Sequence, residues 1–371
     1  MCKQCSVVTS LMLARCCRAH QLLVYTVISC SVLFLLYHTL SGGPTRTSPA
    51  SSYRTCPNTT YPGYRRQLGR ATRLKLAVIA DLDTASRLPG QDKWVSYMKS
   101  GYLDLDNNLV AVTIDMEEEE TRLASNVAAG GRGMELSELS VFNGRLLSLD
   151  DRTGIVYSVA GDRVLPWLIL PDGDGLTSSK GFKAEWSTVV GDKLVVGGLG
   201  KEWTTQTGDI LNHDPMWVKE VSCEGAVRHL DWRHRYLAVR EVAGISWPGY
   251  MIHEAVCWSS VRSQWVFLPR RMSKDKYDDV TDEKMGANTM ITASEDFSDI
   301  RMVTVGKKIP THGFSSCKFI PGTEDNLIVA LKSEEIEGRV ATYIMVFNME
   351  GKVILDEVKI GDRKFEGIEF L

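Results

Sequence analysis

No charge of one sign dominates this sequence: 43 Lys and Arg against 46 Asp and Glu leave a formal charge of −3 over 371 residues. That balance argues against a chain that holds nucleic acid through overall basicity. A long helical period is also missing from the globular part, which argues against a helical bundle. Several familiar signatures fail. GGLGKEWT (197–204) is no phosphate-cradling loop, because Val195 and Glu202 break its pattern. HEAVC (253–257) has Cys257 where a zinc-protease helix needs a second histidine. GFSSC (313–317) is not a serine-nucleophile elbow. DGDGL (172–176) lacks the rest of a twelve-residue calcium loop and reads as a turn.

What is present is an ordinary globular balance, 44% hydrophobic and 24% charged, with nine tryptophans and twelve tyrosines that suit a β-rich protein. Residues 1–20 carry Lys3, Arg15 and Arg18 and no acid, as a cytoplasmic tail would. The uncharged run 21–40 has the length needed to cross a membrane. With basic residues before it, a retained signal-anchor predicts type II topology, with the rest of the chain lumenal or extracellular. A cleaved signal peptide ending near Ser41-Gly42-Gly43, and hence a secreted protein, is the competing reading. Residues 41–65 are rich in Ser, Thr, Pro and Gly and read as a stalk, with an N-glycosylation sequon at Asn58. The domain proper is expected over 66–371. Cys2-x-x-Cys5 reads as tail cysteines, and Cys16 and Cys17 are candidates for palmitoylation. Cys56, Cys223, Cys257 and Cys317 would face an oxidising compartment, as any of three pairings or as buried thiols.

LKLAVIADLD (74–83) reads as a buried strand ending in Asp81 and Asp83. DMEEEE (115–120) reads as a solvated face, and 272–285 as a polar loop. Asn143-Gly144 between alternating runs is a strong hairpin signal. Segments opening on an acid or a serine recur, with those heads at Ser137, Glu185, Glu254, Ser315 and Glu366. The intervals of 48, 69, 61 and 51 residues suit four-stranded blades with unequal loops. The fold class expected is therefore all-β, a five-bladed propeller whose last strand closes the ring. Three carboxylates and two hydroxyls converging on the axis would repel one another without a cation between them. Oxygen donors suit Ca²⁺ better than Zn²⁺.

These residues carry a resemblance. IADLDTASR (79–87), GRGMELSEL (131–139), DDRTGIVY (150–157), GFKAEW (181–186), GGLGKEWTT (197–205), PGYMIHEAVCW (248–258), FLPRR (267–271), MGANTMITAS (285–294), THGFSSCKFIP (311–321) and FEGIEF (365–370) are similar, in order, to the calcium-activated nucleotidase (apyrase) family. Met285 stands where the family has a lysine before Gly286. The resemblance implies a five-bladed propeller with hub Ca²⁺ on Ser137, Glu185, Glu254, Ser315 and Glu366. It implies hydrolysis of nucleoside di- and triphosphates (UDP and GDP preferred, UTP among the substrates) in the Golgi or endoplasmic reticulum, clearing UDP for proteoglycan synthesis. A homodimer is implied by analogy alone.

Under that reading Asp81, Asp83 and Asp151 orient or deprotonate the attacking water, with Asp150 a weaker candidate. Arg152, Lys183 and Lys201 bind phosphate, Trp203 stacks on the base, and Glu135 and Glu202 hold water. Arg270 and Arg271 brace their blade. The rival readings are a calcium propeller that hydrolyses lactones or esters, and a non-catalytic binding propeller.

Overall fold

Asn143 and Gly144 turn strand Leu136–Phe142 back onto Arg145–Asp150. Both sit at positive φ, 51° and 69°, as this two-residue loop demands. The same strand-turn rhythm builds five antiparallel sheets, each with its strands in chain order except where the ring closes. The computed structural model describes residues 71–371 and the backbone of strand Arg65–Leu68. The tail, the 21–40 anchor, stalk residues 41–64 with Asn58, and Cys56 lie outside the described residues, and Arg65, expected at the end of the stalk, opens the strand Arg65–Leu68. Among the described residues no helix is long and apolar enough to cross a membrane.

The first blade comprises Ala71–Ala80, Trp94–Asp106 and Val112–Ser125, completed on its inner edge by the last strand, Phe365–Phe370. Pairing of Leu76–Ala80 with Phe365–Phe370 closes the ring, which removes the exposed sheet edge the first blade would otherwise present. The other inner strands are Leu136–Phe142, Trp186–Val190, Tyr250–Ser259 and His312–Phe319. The acidic run 115–120 falls on the first blade's outermost strand, with Glu117, Glu118 and Glu119 exposed.

Apolar packing follows the ring. Five large buried clusters form, one between each neighbouring pair of blades. Leu76, Leu331 and Phe365 belong to the cluster at the closure, and Trp186, Trp232 and Trp265 to the one between the third and fourth blades. Each fully buried Leu or Phe there contributes roughly 1.5–3 kcal/mol. Two glycines permit close approaches. A Cβ at Gly197 would lie 2.1 Å from the Trp186 ring, and one at Gly367 would lie 2.5 Å from the backbone nitrogen of Leu139.

Two departures from expectation lengthen the 69-residue interval. A small hairpin, Trp203–Thr204 with Ile210–Asn212, is inserted in the third blade. Helix α1, Arg233–Val242, then buries Tyr236, Val239 and Arg240 on one face. Its ten residues are too short to stand out as a helical period in the sequence. The expected polar loop 272–285 also contains a short helix, α2, Asp279–Asp282, capped by the Asp278 carboxylate.

Candidate functional site

The five residues at the expected strand heads share a more specific device, the β-bulge. Strand register skips Ser137 between Leu136 and Glu138, Glu254 between His253 and Ala255, Ser315 between Phe314 and Ser316, and Glu366 between Phe365 and Gly367. Glu185 is equivalent: its N–H donates to the carbonyl of Gly197, the residue already opposite Trp186. Glu254 and Ser315 thus lie inside their strands rather than at the heads. A bulge re-aims one side chain while the strand continues, and here it does so on every inner strand.

All five side chains are buried, and the three glutamates line one cavity of about 270 Å³. The cavity also takes in Asp81, Asp83, Asp151, Lys183, Arg270, Arg271, Glu335 and Lys364. Altogether ten carboxylates face four side-chain cations, so the cavity carries a large excess of negative charge. Lys183 joins Asp151 and Glu185, the latter at 2.8 Å. Lys364 lies 2.8 Å from Asp81 and 2.5 Å from Asp83. Arg270 donates to Glu254, to Glu366 at 2.5 Å and to Glu335 at 2.9 Å. Burial, opposed by Lys183 and reinforced by Glu254 and Asp151, pushes the Glu185 carboxyl up to about 8. Burial lifts Glu366 well above the usual range despite Lys364 and Arg270.

The three aspartates differ. Asp81 is buried just past the end of Ala71–Ala80; burial alone would raise it, but Lys364 holds its carboxyl below the ordinary range. Asp83, half exposed at φ 47°, lies 3.6 Å from Arg132. Asp151 follows the strand Arg145–Asp150 and its Oδ1 is buried without a hydrogen-bond partner. Burial, countered by Lys183 and aided by Asp81, pushes its carboxyl up to about 6. Asp150, by contrast, is spent on the turn, accepting from the backbone N–H groups of Met134 and Arg152 at 2.8 and 3.0 Å. Glu135 is held by Arg132 through two bonds of 2.7 and 2.5 Å, and its oxygens lie with those of Asp81 and Asp83 inside one 4.8 Å cluster.

A second cavity of about 330 Å³ adjoins the first through the shared Asp151 and Lys183. Arg152, Lys180 and Trp203 line it, with the Lys180 ammonium 5.9 Å from the Trp203 ring centre. Lys201 and Glu202 line neither of these two cavities. Arg240 takes both oxygens of Glu202 at 2.9 and 3.1 Å, and Lys201 is buried over the Tyr277 ring, donating to the Glu202 carbonyl and Thr204. Sequence reasoning missed Lys364, Arg132 and the acids of α2, and it gave Arg270 only a bracing role. No motif marks these residues, although Lys364 directly precedes FEGIEF.

The ring's donors fit a hard divalent cation. Its three carboxylates line one cavity, two of them driven toward protonation by burial, while Asp81, Asp83 and Glu135 form the carboxylate group among the described residues whose oxygens already lie close enough together to hold an ion. Ser137 donates to the Ala184 carbonyl at 2.6 Å, which leaves its oxygen lone pairs able to ligate.

Comparison with known proteins agrees with this chemistry. The family model for apyrase matches residues 82–371. Soluble calcium-activated nucleotidase 1 of Mus musculus is 48% identical over 361 residues, covering 95% of this chain and 89% of that protein. Its counterpart from Rattus norvegicus is 51% identical over 85% of this chain and 78% of that protein. Apyrase apy-1 of Caenorhabditis elegans is 47% identical over 81% and 85%.

Proposed function

The chain belongs to the apyrase family, and from that premise we propose that it is a calcium-dependent hydrolase of nucleoside diphosphates and triphosphates, preferring UDP and GDP. The observation that carries this reading is the ring of bulged Ser137, Glu185, Glu254, Ser315 and Glu366 opening into the acid-rich cavity. A cavity with ten carboxylates repels a bare polyphosphate, so productive binding requires a divalent cation. Ca²⁺ held by those five residues would neutralise phosphoryl charge and fix the site's geometry.

The rest of the reaction falls to side chains. Phosphoanhydride hydrolysis is mostly positioning and charge neutralisation. Asp151, with one unshared buried oxygen and a carboxyl near 6, takes the proton of the attacking water. Asp81 and Asp83, oriented by Lys364, hold that water in place. Lys183 meets the phosphates at the junction of the two cavities. Trp203 receives the base in the second cavity, with Arg152 beside it.

The same reading places the enzyme behind its 21–40 anchor in the Golgi or endoplasmic reticulum lumen, clearing UDP after glycosyl transfer. The disulfide between Cys257 and Cys317 supports an oxidising compartment. Five blades rather than six weigh against the lactone- or ester-hydrolysing alternative.

Phosphate release from UDP, abolished by chelator and restored by Ca²⁺, is the expected result. Glu185→Gln should lower turnover by on the order of 100-fold and weaken calcium binding with it. Undiminished calcium-dependent turnover in that variant would remove the ring from the mechanism.

A further inference from the structure

The residue that most complicates a simple cation ring is Arg270. It is 6% exposed, and the register of its strand skips it, from Arg271 opposite Ile252 to Pro269 opposite His253. It is therefore bulged toward the axis from the second strand of its blade, as Glu254 is from the first. A single guanidinium nitrogen, Nη1, donates to Glu254 and also to Glu366, and Nη2 donates to Glu335 at the cavity. The arginine thus bridges two of the three ring glutamates with its positive charge. Lys183 plays the same part at Glu185. Three ring carboxylates are matched by side-chain cations already in contact with them.

Arg271 is a second, independent signal. It is 3% exposed, lines the same cavity, and its Nη1 is buried with no hydrogen-bond partner. Its nearest acid, Asp282, lies 3.7 Å away. A buried guanidinium nitrogen without an acceptor is costly. In a cavity of this size it points to an anionic ligand supplying the acceptor.

We propose that Arg270 is an exchangeable counter-ion, which leaves Glu254 and Glu366 when a divalent cation takes their oxygens and then joins Arg271 in gripping a phosphate of the nucleotide. This rests on the calcium-ring reading above and extends it. The exchange needs no proton transfer, because guanidinium stays charged throughout. Once a divalent ion takes the oxygens of Glu254 and Glu366, the Arg270 guanidinium keeps only Glu335 of its three acid partners. A phosphate anion is its natural complement. Metal dependence would then arise partly from freeing Arg270, beyond any direct contact between ion and substrate.

The test uses the purified full chain, first stripped of metal. Calorimetric titration with Ca²⁺ alone compares the wild type with Arg270→Met, Arg270→Lys and Arg271→Met. Arg270→Met should bind Ca²⁺ about tenfold more tightly, because the competing cation is gone. Arg270→Lys, which lacks the second nitrogen that holds Glu335, should fall between it and the wild type, and it serves if the methionine variant does not fold. At saturating Ca²⁺, inorganic phosphate should bind about tenfold more weakly to both Arg270→Met and Arg271→Met. Unchanged or weaker Ca²⁺ binding in both Arg270 variants would overturn the proposal, since Arg270 would then merely build the ring. Equal tightening in Arg271→Met would overturn it too, by showing a general field effect instead of exchange. Failure of the wild type to bind Ca²⁺ would strike the calcium-ring reading itself, which separates the two failures.

Discussion

The five inner strands carry polar side chains at their bulges and again farther along, and the two groups are handled in opposite ways. At the bulges, Glu185, Glu254 and Glu366 crowd together with excess acid, open into a cavity, and adjoin two orphaned atoms, Asp151 Oδ1 and Arg271 Nη1. Past the bulges lie Glu138, Ser140, Ser187, Ser316, Lys318 and Glu369. Glu138 there accepts from Ser316 and the Leu139 N–H at 2.9 and 2.8 Å, with Lys318 at 3.4 Å. Glu369 accepts from the backbone N–H groups of Val141 and Phe370, and the Ser140 and Ser187 hydroxyls pair at 2.8 Å. None of those six side chains leaves a buried polar atom unpartnered. A satisfied polar network rigidifies and seals, whereas an unsatisfied one invites a ligand. One end of the inner ring is therefore a plug and the other a site.

That contrast can be broken by mutation. The largest effect belongs at the site: Asp151→Asn should reduce nucleotide hydrolysis by about 10²–10⁴-fold while hardly moving the melting temperature. In the wild type, hydrolysis should rise as pH passes through about 6, where the Asp151 carboxyl deprotonates, and this limb should vanish from the variant's residual activity. A normal rate in Asp151→Asn would move the proton acceptor elsewhere. Next comes the link between the fourth and fifth blades. Cys257→Ser should cost about 2–4 kcal/mol in denaturant unfolding without changing turnover at low temperature. An unchanged unfolding midpoint would show that the bond adds nothing to the inner ring.

The smallest effect belongs to the plug. Burial, opposed by Lys318, pushes the Glu138 carboxyl up to about 7 from an ordinary 4.5. A carboxyl that holds its proton more tightly when folded stabilises the fold below pH 4.5. That contribution is lost as pH rises through about 7. Glu138→Gln should therefore leave stability unchanged near pH 4 and add about 1–3 kcal/mol at pH 8. A variant less stable than wild type at pH 8 would mean that Glu138 serves as a carboxylate paired with Lys318, and the plug would then resemble the site.

Much of this was legible beforehand because it is periodic or local. The Asn143-Gly144 hairpin, the buried run Leu76–Ala80 and the solvated Glu117–Glu119 follow from turn chemistry and alternation. The recurrence of Ser137, Glu185, Glu254, Ser315 and Glu366 marked the inner strand of every blade. Helix α1 escaped notice because its apolar face, Tyr236 and Val239, is short and interrupted by arginines. The surroundings of Lys201 and Glu202 were hidden for a related reason. Nothing beside Glu202 in the sequence shows that Arg240, 38 residues on, takes both its oxygens.

The sequence by itself determined the number of blades and which five oxygen-bearing residues recur, because each blade repeats the same local pattern of apolar alternation and turns. Only the tertiary structure decided that those residues are bulged, since a bulge exists only relative to the register of the neighbouring strand. It alone decided which cations face them. Arg270 reaches Glu366 across 96 residues and Lys364 reaches Asp83 across 281, and long charged side chains choose partners by proximity in space once the ring has closed.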